Sequence, residues 1–276
     1  MTLAADTFAY VADLVRRRSA LHLEPGKEYL VESRLLPLAR AAGQPDVDTY
    51  VRALRAAPLQ SALEIVVEAL TTNETSWFRD AQPFRALVDH VVPELLAGRQ
   101  AAFRPTLRVW SAACSSGQEP YSIAMALADL LPPSQLRIVA TDLSPRMVAR
   151  GQAGRYSQLE VNRGLPAPML VKHFVRVGAE WEIDAALRSA VRFEKHNLLD
   201  APPSGGPFDV VFLRNVLIYF DLAAKREALR RVQRVLTPGG FLLLGAAETT
   251  IGIDDGWERV PVGRGSVYRH GTRRAA

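Results

Sequence analysis

The sequence predicts an α/β fold behind an all-helical N-terminal domain, on three observations. Residues 1–80 place apolar side chains at helical spacing throughout. From Leu107 onward, short apolar runs alternate with amphipathic stretches, the rhythm of a mostly parallel sheet with helices on both faces. Residues 109–125, VWSAACSSGQEPYSIAM, pass from an apolar run through small residues into a helical pattern: strand, tight loop, helix.

The N-terminal region divides into four helices. Phe8, Val11, Leu14 and Val15 line the first, with Asp6 or Thr7 as its cap. The second runs from about Pro25 to about Ala42, with Gly43 as terminator. Its apolar side is Leu30, Val31, Leu35 and Leu38, and Pro37 is expected to kink or break it. Asp48 or Thr49 opens a third helix through Tyr50, Val51 and Leu54, and residues 59–70 form a fourth. A helix over 84–96 links to the second domain.

The strands follow at 107–111, 136–141, 191–194, 208–213 and 241–245, with 267–269 pairing near the end. Residues 208–213 (FDVVFL) are apolar enough to be buried on both faces. Helices lie between, to about Leu131, near 145–151 and over 222–236. Thr237-Pro238-Gly239-Gly240 reads as a turn. Between Tyr156 and Ala190 the rhythm breaks: a helical piece at 166–174 precedes alternating segments at 174–178 and 180–183, a small hairpin. The domains expected are therefore 1–80, a linker over 81–106, and 107–276 with an insertion at about 157–190.

Composition is that of a globular chain long enough for two domains: 276 residues, 48% hydrophobic and 23% charged. No apolar run approaches the ~18 residues of a membrane span, and residues 1–10 lack a signal-peptide pattern. The single cysteine, Cys114, rules out an internal disulfide, so a reducing cytoplasm is expected. No obvious oligomerisation stripe appears, so a monomer is expected. The net charge of +5 is uneven: residues 1–80 carry 9 Lys/Arg against 11 Asp/Glu, and residues 81–276 carry 25 against 18. Arg264, Arg269, Arg273 and Arg274 add to that basic excess. It serves either solubility or attraction to an acidic partner.

The loop at 111–117 has one glycine, no GxGxxG and no Gly-Lys-Ser/Thr, so it is not a phosphate cradle. Glu119 stands where a phosphate binder wants N–H groups. A positively charged ligand is indicated, and S-adenosylmethionine fits. Glu119 alone reads equally as a first-turn glutamate favoured by the helix dipole. Asp142, 25 positions after Gly117, is placed either for ribose hydroxyls or to cap the next helix.

Several separated motifs then carry a resemblance. They are TTNETSWFRD (71–80), residues 110–125, Thr141-Asp142, GRYS (154–157), Asn197-Leu198-Leu199 and RNVLIYFD (214–221). In order and spacing the chain resembles the CheR-type chemotaxis receptor glutamate O-methyltransferases over nearly its whole length. The resemblance implies an all-α N-terminal domain and a class I (Rossmann-like) S-adenosylmethionine-dependent methyltransferase domain with a small antiparallel β-subdomain insertion. It implies S-adenosylmethionine as cofactor, S-adenosylhomocysteine as product, and no metal. Asn73, Thr75, Arg79, Ala113, Gly117, Glu119, Asp142, Asn197, Leu198 and Asn215 are then cofactor contacts. Arg79 and Tyr219 lie near the transferred methyl, although Tyr219 alone would read as an aromatic anchor. Lys27, Arg34 and Arg40 would face an acidic receptor helix, the expected partner, with neither nucleic acid nor membrane insertion involved.

Three departures stand out. Trp77-Phe78-Arg79 replaces Phe-Phe-Arg, Gly117-Gln118-Glu119-Pro120 replaces Gly-Glu-Glu-Pro, and Gly245-Ala246-Ala247-Glu248 replaces Gly-His-Ser-Glu. The last leaves that loop with little expected role. The tight turn 177–180 predicts independence from a receptor C-terminal pentapeptide. Two rival readings are a nucleic-acid methyltransferase, disfavoured by few lysines and scattered arginines, and a non-catalytic cofactor-binding regulator, disfavoured by Arg79, Asn215 and Tyr219.

Overall fold

The computed structural model describes residues 3–100 and 106–270. Residues 101–105 of the expected linker, and the tail arginines Arg273 and Arg274, lie outside the described residues. The chain packs into two units, Met1–Thr72 with Tyr219–Ala224, and Asn73–Ile218 with the chain from Lys225.

In the first unit four helices, α1 (Ala5–Ser19), α2 (Glu28–Ala41), α3 (Val47–Ala56) and α4 (Gln60–Leu70), bury one stripe each. Phe8, Val11, Leu14 and Val15 of α1, Val31 and Leu35 of α2, Val51 and Leu54 of α3, and Val66 and Val67 of α4 are all buried. Several boundaries differ from expectation. Pro25 and Gly26 form a turn ahead of α2, which starts at Glu28. Pro37 does not break α2, because it and Ser33 are exposed and water can take the carbonyl it orphans. The cap of α3 is Asp46, which accepts from Thr49 N at 2.7 Å, and so lies before both Asp48 and Thr49. Tyr219–Ala224 joins this unit: Phe220 bridges Leu21, Tyr219 O accepts from His22 N at 2.7 Å, and Asp221 pairs with Arg16 at 2.8 Å.

The second unit begins with α5 (Gln82–Ala86), a π-helical turn Leu87–Val91 and α6 (Val92–Gln100). Among the described residues ten strands follow: β1 (Leu107–Ala112), β2 (Leu136–Asp142), β3 (Arg155–Ser157), β4 (Phe174–Val177), β5 (Glu180–Ile183), β6 (Val191–Lys195), β7 (Phe208–Leu213), β8 (Leu236–Leu244), β9 (Trp257–Val262) and β10 (Gly265–His270). Seven form one sheet in the order β6-β2-β1-β7-β8-β10-β9. The β6-to-β8 part is parallel, and β10 runs antiparallel to both β8 and β9. Every residue of β7 is buried, as its apolar run requires. Among the helices around this sheet are α7 (Gln118–Leu127), α8 (Pro145–Ala153), α11 (Ala185–Ser189) and α12 (Leu222–Val235), the last beginning within the first unit's segment; α9 (Gln158–Val161) and α10 (Ala167–His173) flank the small sheet. Residues 237–240 are not a turn. They lie inside β8, where a register shift against Phe208–Val210 and Gly239 at φ 77° absorb the extra length as a bulge.

The expected hairpin is present as β4 and β5, joined through Gly178 and Ala179. A third strand, β3, pairs with β5 and was absent from the sequence reading because three residues carry no period. Tyr156 of β3 is fully buried and donates to Ser116 O at 2.9 Å. Its ring meets Trp77 edge-on with centroids 4.8 Å apart. The small sheet therefore buttresses both the loop after β1 and the segment before α5.

Candidate active site

In an open parallel sheet, ligands bind beyond the carboxyl ends of the strands where the strand order reverses. Here that point lies between β1 and β7. The loop after β1 bends sharply, with Ala113 at φ 58°, Ser115 at φ 49° and Gly117 at φ 96°. A Cβ on Gly117 would lie 2.9 Å from the Tyr156 hydroxyl and 3.0 Å from Gly151 Cα, so only glycine fits. Of seven non-glycine residues with positive φ among the described residues, six belong to this edge: Phe78, Asp80, Ala81, Ala113, Ser115 and Asn215. Such conformations cost about 1–3 kcal/mol each and gather at functional sites.

Asp142 ends β2 and accepts from Ser115 N at 2.8 Å and Ser144 N at 2.9 Å. The helix cap is Ser144, which accepts from Met147 N, so of its two readings Asp142 is not the cap of α8. A carboxylate at the end of this strand has the acceptor chemistry that a ribose hydroxyl needs. Ser115 Oγ donates to Asn73 O at 2.7 Å, which brings the 73–79 segment onto the loop. Asn197 follows β6 and its Oδ1 accepts from Leu199 N at 3.0 Å. The carbonyl of Asp142 accepts from His196 N, which ties this turn to the end of β2.

The strongest charges converge on Arg214, directly after β7. Its side chain is 1% exposed and pairs with Glu119 and Asp80, each at 2.9 Å. It also donates to the carbonyl of Arg79, and its guanidinium lies 5.4 Å from the Phe84 ring centre. Glu119 accepts from Ser111 Oγ at 2.7 Å as well. Burial pushes the Glu119 carboxyl above its usual range, against the pull of Arg214. Arg214 has no assigned role in the sequence reading, although an arginine ending an apolar strand was the available signal. Two carboxylates face one guanidinium here, so the cluster leans negative.

Arg79 differs from Arg214. Its guanidinium is partly exposed and donates to Glu74 O at 3.1 Å, with no carboxylate partner among the described residues. Asn215, at φ 58°, is held by Glu248. That carboxylate accepts from four backbone N–H groups: Asn215 at 2.7 Å, Gly245 at 2.8 Å, Val216 at 3.0 Å and Ile218 at 3.3 Å. This corrects the expectation of little role for the Gly245–Glu248 loop. The changed residues, Ala246 and Ala247, are the ones the clamp does not use.

The remaining sequence candidates lie elsewhere or are already committed. Tyr219 belongs with the first unit. Arg34 is spent on α4, donating to the carbonyls of Leu70 and Thr71 and to Thr72 Oγ1. That corrects its reading as a receptor-facing residue. Lys27 and Arg40 are exposed. Lys27 is the residue before α2, and at about 100° per residue Arg34 and Arg40 project roughly 120° apart around the helix, so the trio does not share one face. Cys114 is buried, and burial with Asp142 and Glu119 nearby pushes its thiol pKa well up, so it packs as a neutral residue. No metal-holding group of three His, Cys, Asp or Glu occurs among the described residues.

The site fits S-adenosylmethionine on its own chemistry. The surplus carboxylate at Glu119 and Asp80 matches an ammonium and sulfonium, and Asp142 matches a ribose. With the seven-stranded sheet, this is the architecture of a class I S-adenosylmethionine-dependent methyltransferase. Family models agree: residues 6–71 match the CheR methyltransferase all-alpha domain, and residues 73–263 the CheR methyltransferase SAM binding domain. The chain belongs to the CheR methyltransferase family. It is 43% identical over 255 residues to chemotaxis protein methyltransferase Cher2 of Pseudomonas putida, covering 90% of this chain and 91% of that one. It is 41% identical to chemotaxis protein methyltransferase 1 of Pseudomonas aeruginosa, covering 98% and 99%. A chemotaxis protein methyltransferase of Vibrio parahaemolyticus is 36% identical, with 98% of each chain covered.

Proposed function

We propose that this enzyme methylates glutamate side chains on the cytoplasmic helices of chemoreceptors, giving glutamyl methyl esters and S-adenosylhomocysteine. The observation that carries this reading is the contrast between two arginines. Arg214 is consumed by Glu119 and Asp80, while Arg79 reaches the same edge with no carboxylate of its own. A carboxylate substrate would supply that partner. The relatives' name, chemotaxis protein methyltransferase, supports the receptor as its source.

A glutamate has a pKa of about 4.3, so it arrives ionised and needs no general base. S-adenosylmethionine, when bound, supplies an electrophilic methyl on a positively charged sulfur. Asn73, Thr75, Arg79, Ala113, Gly117, Glu119, Asp142, Asn197, Leu198 and Asn215 would hold it. The chain has to orient one carboxylate oxygen of the substrate toward that methyl, and Arg79 would do so by gripping the other oxygen. A fully bidentate grip would quench the nucleophile. Opposite charges cancel during transfer, so water exclusion by the walls favours the reaction. Lys27 and Arg40 would steer the receptor helix.

The β4–β5 turn has only Gly178 and Ala179 between its strands, which supports pentapeptide-independent action. Micromolar calorimetric binding of a receptor C-terminal pentapeptide would overturn that part. No helix among the described residues is long and apolar enough to cross a membrane; action in the cytoplasm as a monomer is part of this proposal. The decisive experiment offers labelled S-adenosylmethionine with receptor cytoplasmic fragments or RNA. Base-labile label on the receptor supports the reading, and label on RNA or none at all refutes it. Arg79→Ala should abolish transfer, and full turnover on the receptor with normal S-adenosylhomocysteine binding would overturn the role given to Arg79.

A further inference from the structure

Next to the Arg214 cluster, on the same edge of the sheet, a cavity of about 300 Å³ opens over the ends of β8 and β10. Its floor is the chain at 243–246, and its charged walls are Asp80, Glu248, Arg259 and Arg264. These four groups divide by what they already do. Asp80 is engaged by Arg214, which it shares with Glu119, and Glu248 spends both oxygens on backbone N–H groups. Arg259 donates only its Nε, to Ser266 Oγ at 2.8 Å. Arg264 makes no hydrogen bond or ion pair among the described residues, and both arginines are exposed. The charge left uncommitted in the cavity is cationic, and it is carried by planar guanidinium groups suited to carboxylates.

We infer that this cavity is a subsite for an acidic side chain flanking the acceptor glutamate, read by Arg259 and Arg264. The inference rests on the proposed substrate and adds what selects it. Asp80 and Glu248 belong both to the cavity wall and to the frame of the active site, so an occupant would lie beside the reacting residue. On a helical substrate, side chains three or four positions apart are neighbours at about 5–6 Å. The volume lies at the small end of ligand pockets, enough for a side chain and not for a whole helix.

The test compares wild type with Arg259→Ala/Arg264→Ala in steady-state methyl transfer to a chemoreceptor cytoplasmic fragment. A second fragment has the acidic residues flanking each acceptor changed to glutamine. The double variant should raise KM for the acidic fragment at least ten-fold and leave kcat and S-adenosylhomocysteine affinity unchanged. On the neutralised fragment, wild type and variant should have equal KM. An unchanged KM on the acidic fragment overturns the inference, as does a penalty that persists on the neutralised one. If the double variant no longer binds S-adenosylhomocysteine, Arg264→Ala alone makes the same comparison. If wild type forms no base-labile ester on either fragment, the proposed substrate is wrong and this subsite falls with it.

Discussion

Arg214 is the residue on which the electrostatics of the site turn. Two carboxylates, Glu119 and Asp80, share one guanidinium beside apolar strands. Removing a partner from such a buried arrangement costs about 3–5 kcal/mol, because uncompensated charges remain. Arg214→Met should therefore lower stability by about that amount in urea unfolding. Glu119 gives a pH prediction whose sign follows from burial. Its folded pKa lies above the ordinary 4.5, so its contribution to stability is full below 4.5 and is lost as pH rises through the folded value. If Glu119 faces the cofactor's ammonium as proposed, cofactor binding runs the other way, since only the ionised form would attract that charge. S-adenosylhomocysteine affinity should fall as pH is lowered through that raised value, and Glu119→Gln should flatten the profile in calorimetry.

Among elements, the connection after β7 depends on a residue thirty positions downstream. Glu248 holds Asn215, Val216 and Ile218 by their N–H groups, and Gly245 lets the two loops approach. A Cβ on Gly245 would lie 2.7 Å from Glu248 Oε2 and 2.9 Å from Asn215 Nδ2. Glu248→Gln turns one acceptor into a donor facing N–H groups. It should cost about 2–4 kcal/mol and weaken S-adenosylhomocysteine binding, and Gly245→Ala should act in the same direction. Unfolding and calorimetry measure both. The helices and strands around these loops were legible because burial imposes a period, as in Phe8-Val11-Leu14-Val15 and FDVVFL. The clamp was not, since a glutamate in a loop has no period and its partners are backbone groups. Nor does anything in the side chains of Ala113 or Ser115 announce positive φ. The bulge in β8 misled for a related reason: Pro238-Gly239-Gly240 carries turn chemistry, and pairing with β7 overrides it.

At the scale of the whole molecule, the charge asymmetry read from the sequence gains a location. Residues 81–276 carry the basic excess, and Arg259 and Arg264 place part of it, uncommitted and exposed, at the cavity beside the active site. The first unit carries slightly more acid than base, and its Arg34 is used internally, so a broad basic face on α2 is not available there. Exposed charges act through solvent and are screened, whereas Glu119 and Arg214 act where salt does not reach. Raising salt from 0.1 to 1 M shortens the screening length from about 10 to about 3 Å. KM for an acidic receptor fragment should therefore climb steeply with salt, through slower encounter, while S-adenosylhomocysteine affinity barely moves. Parallel changes in both would place substrate attraction in the buried cluster instead, and a flat KM would leave the basic excess to solubility alone.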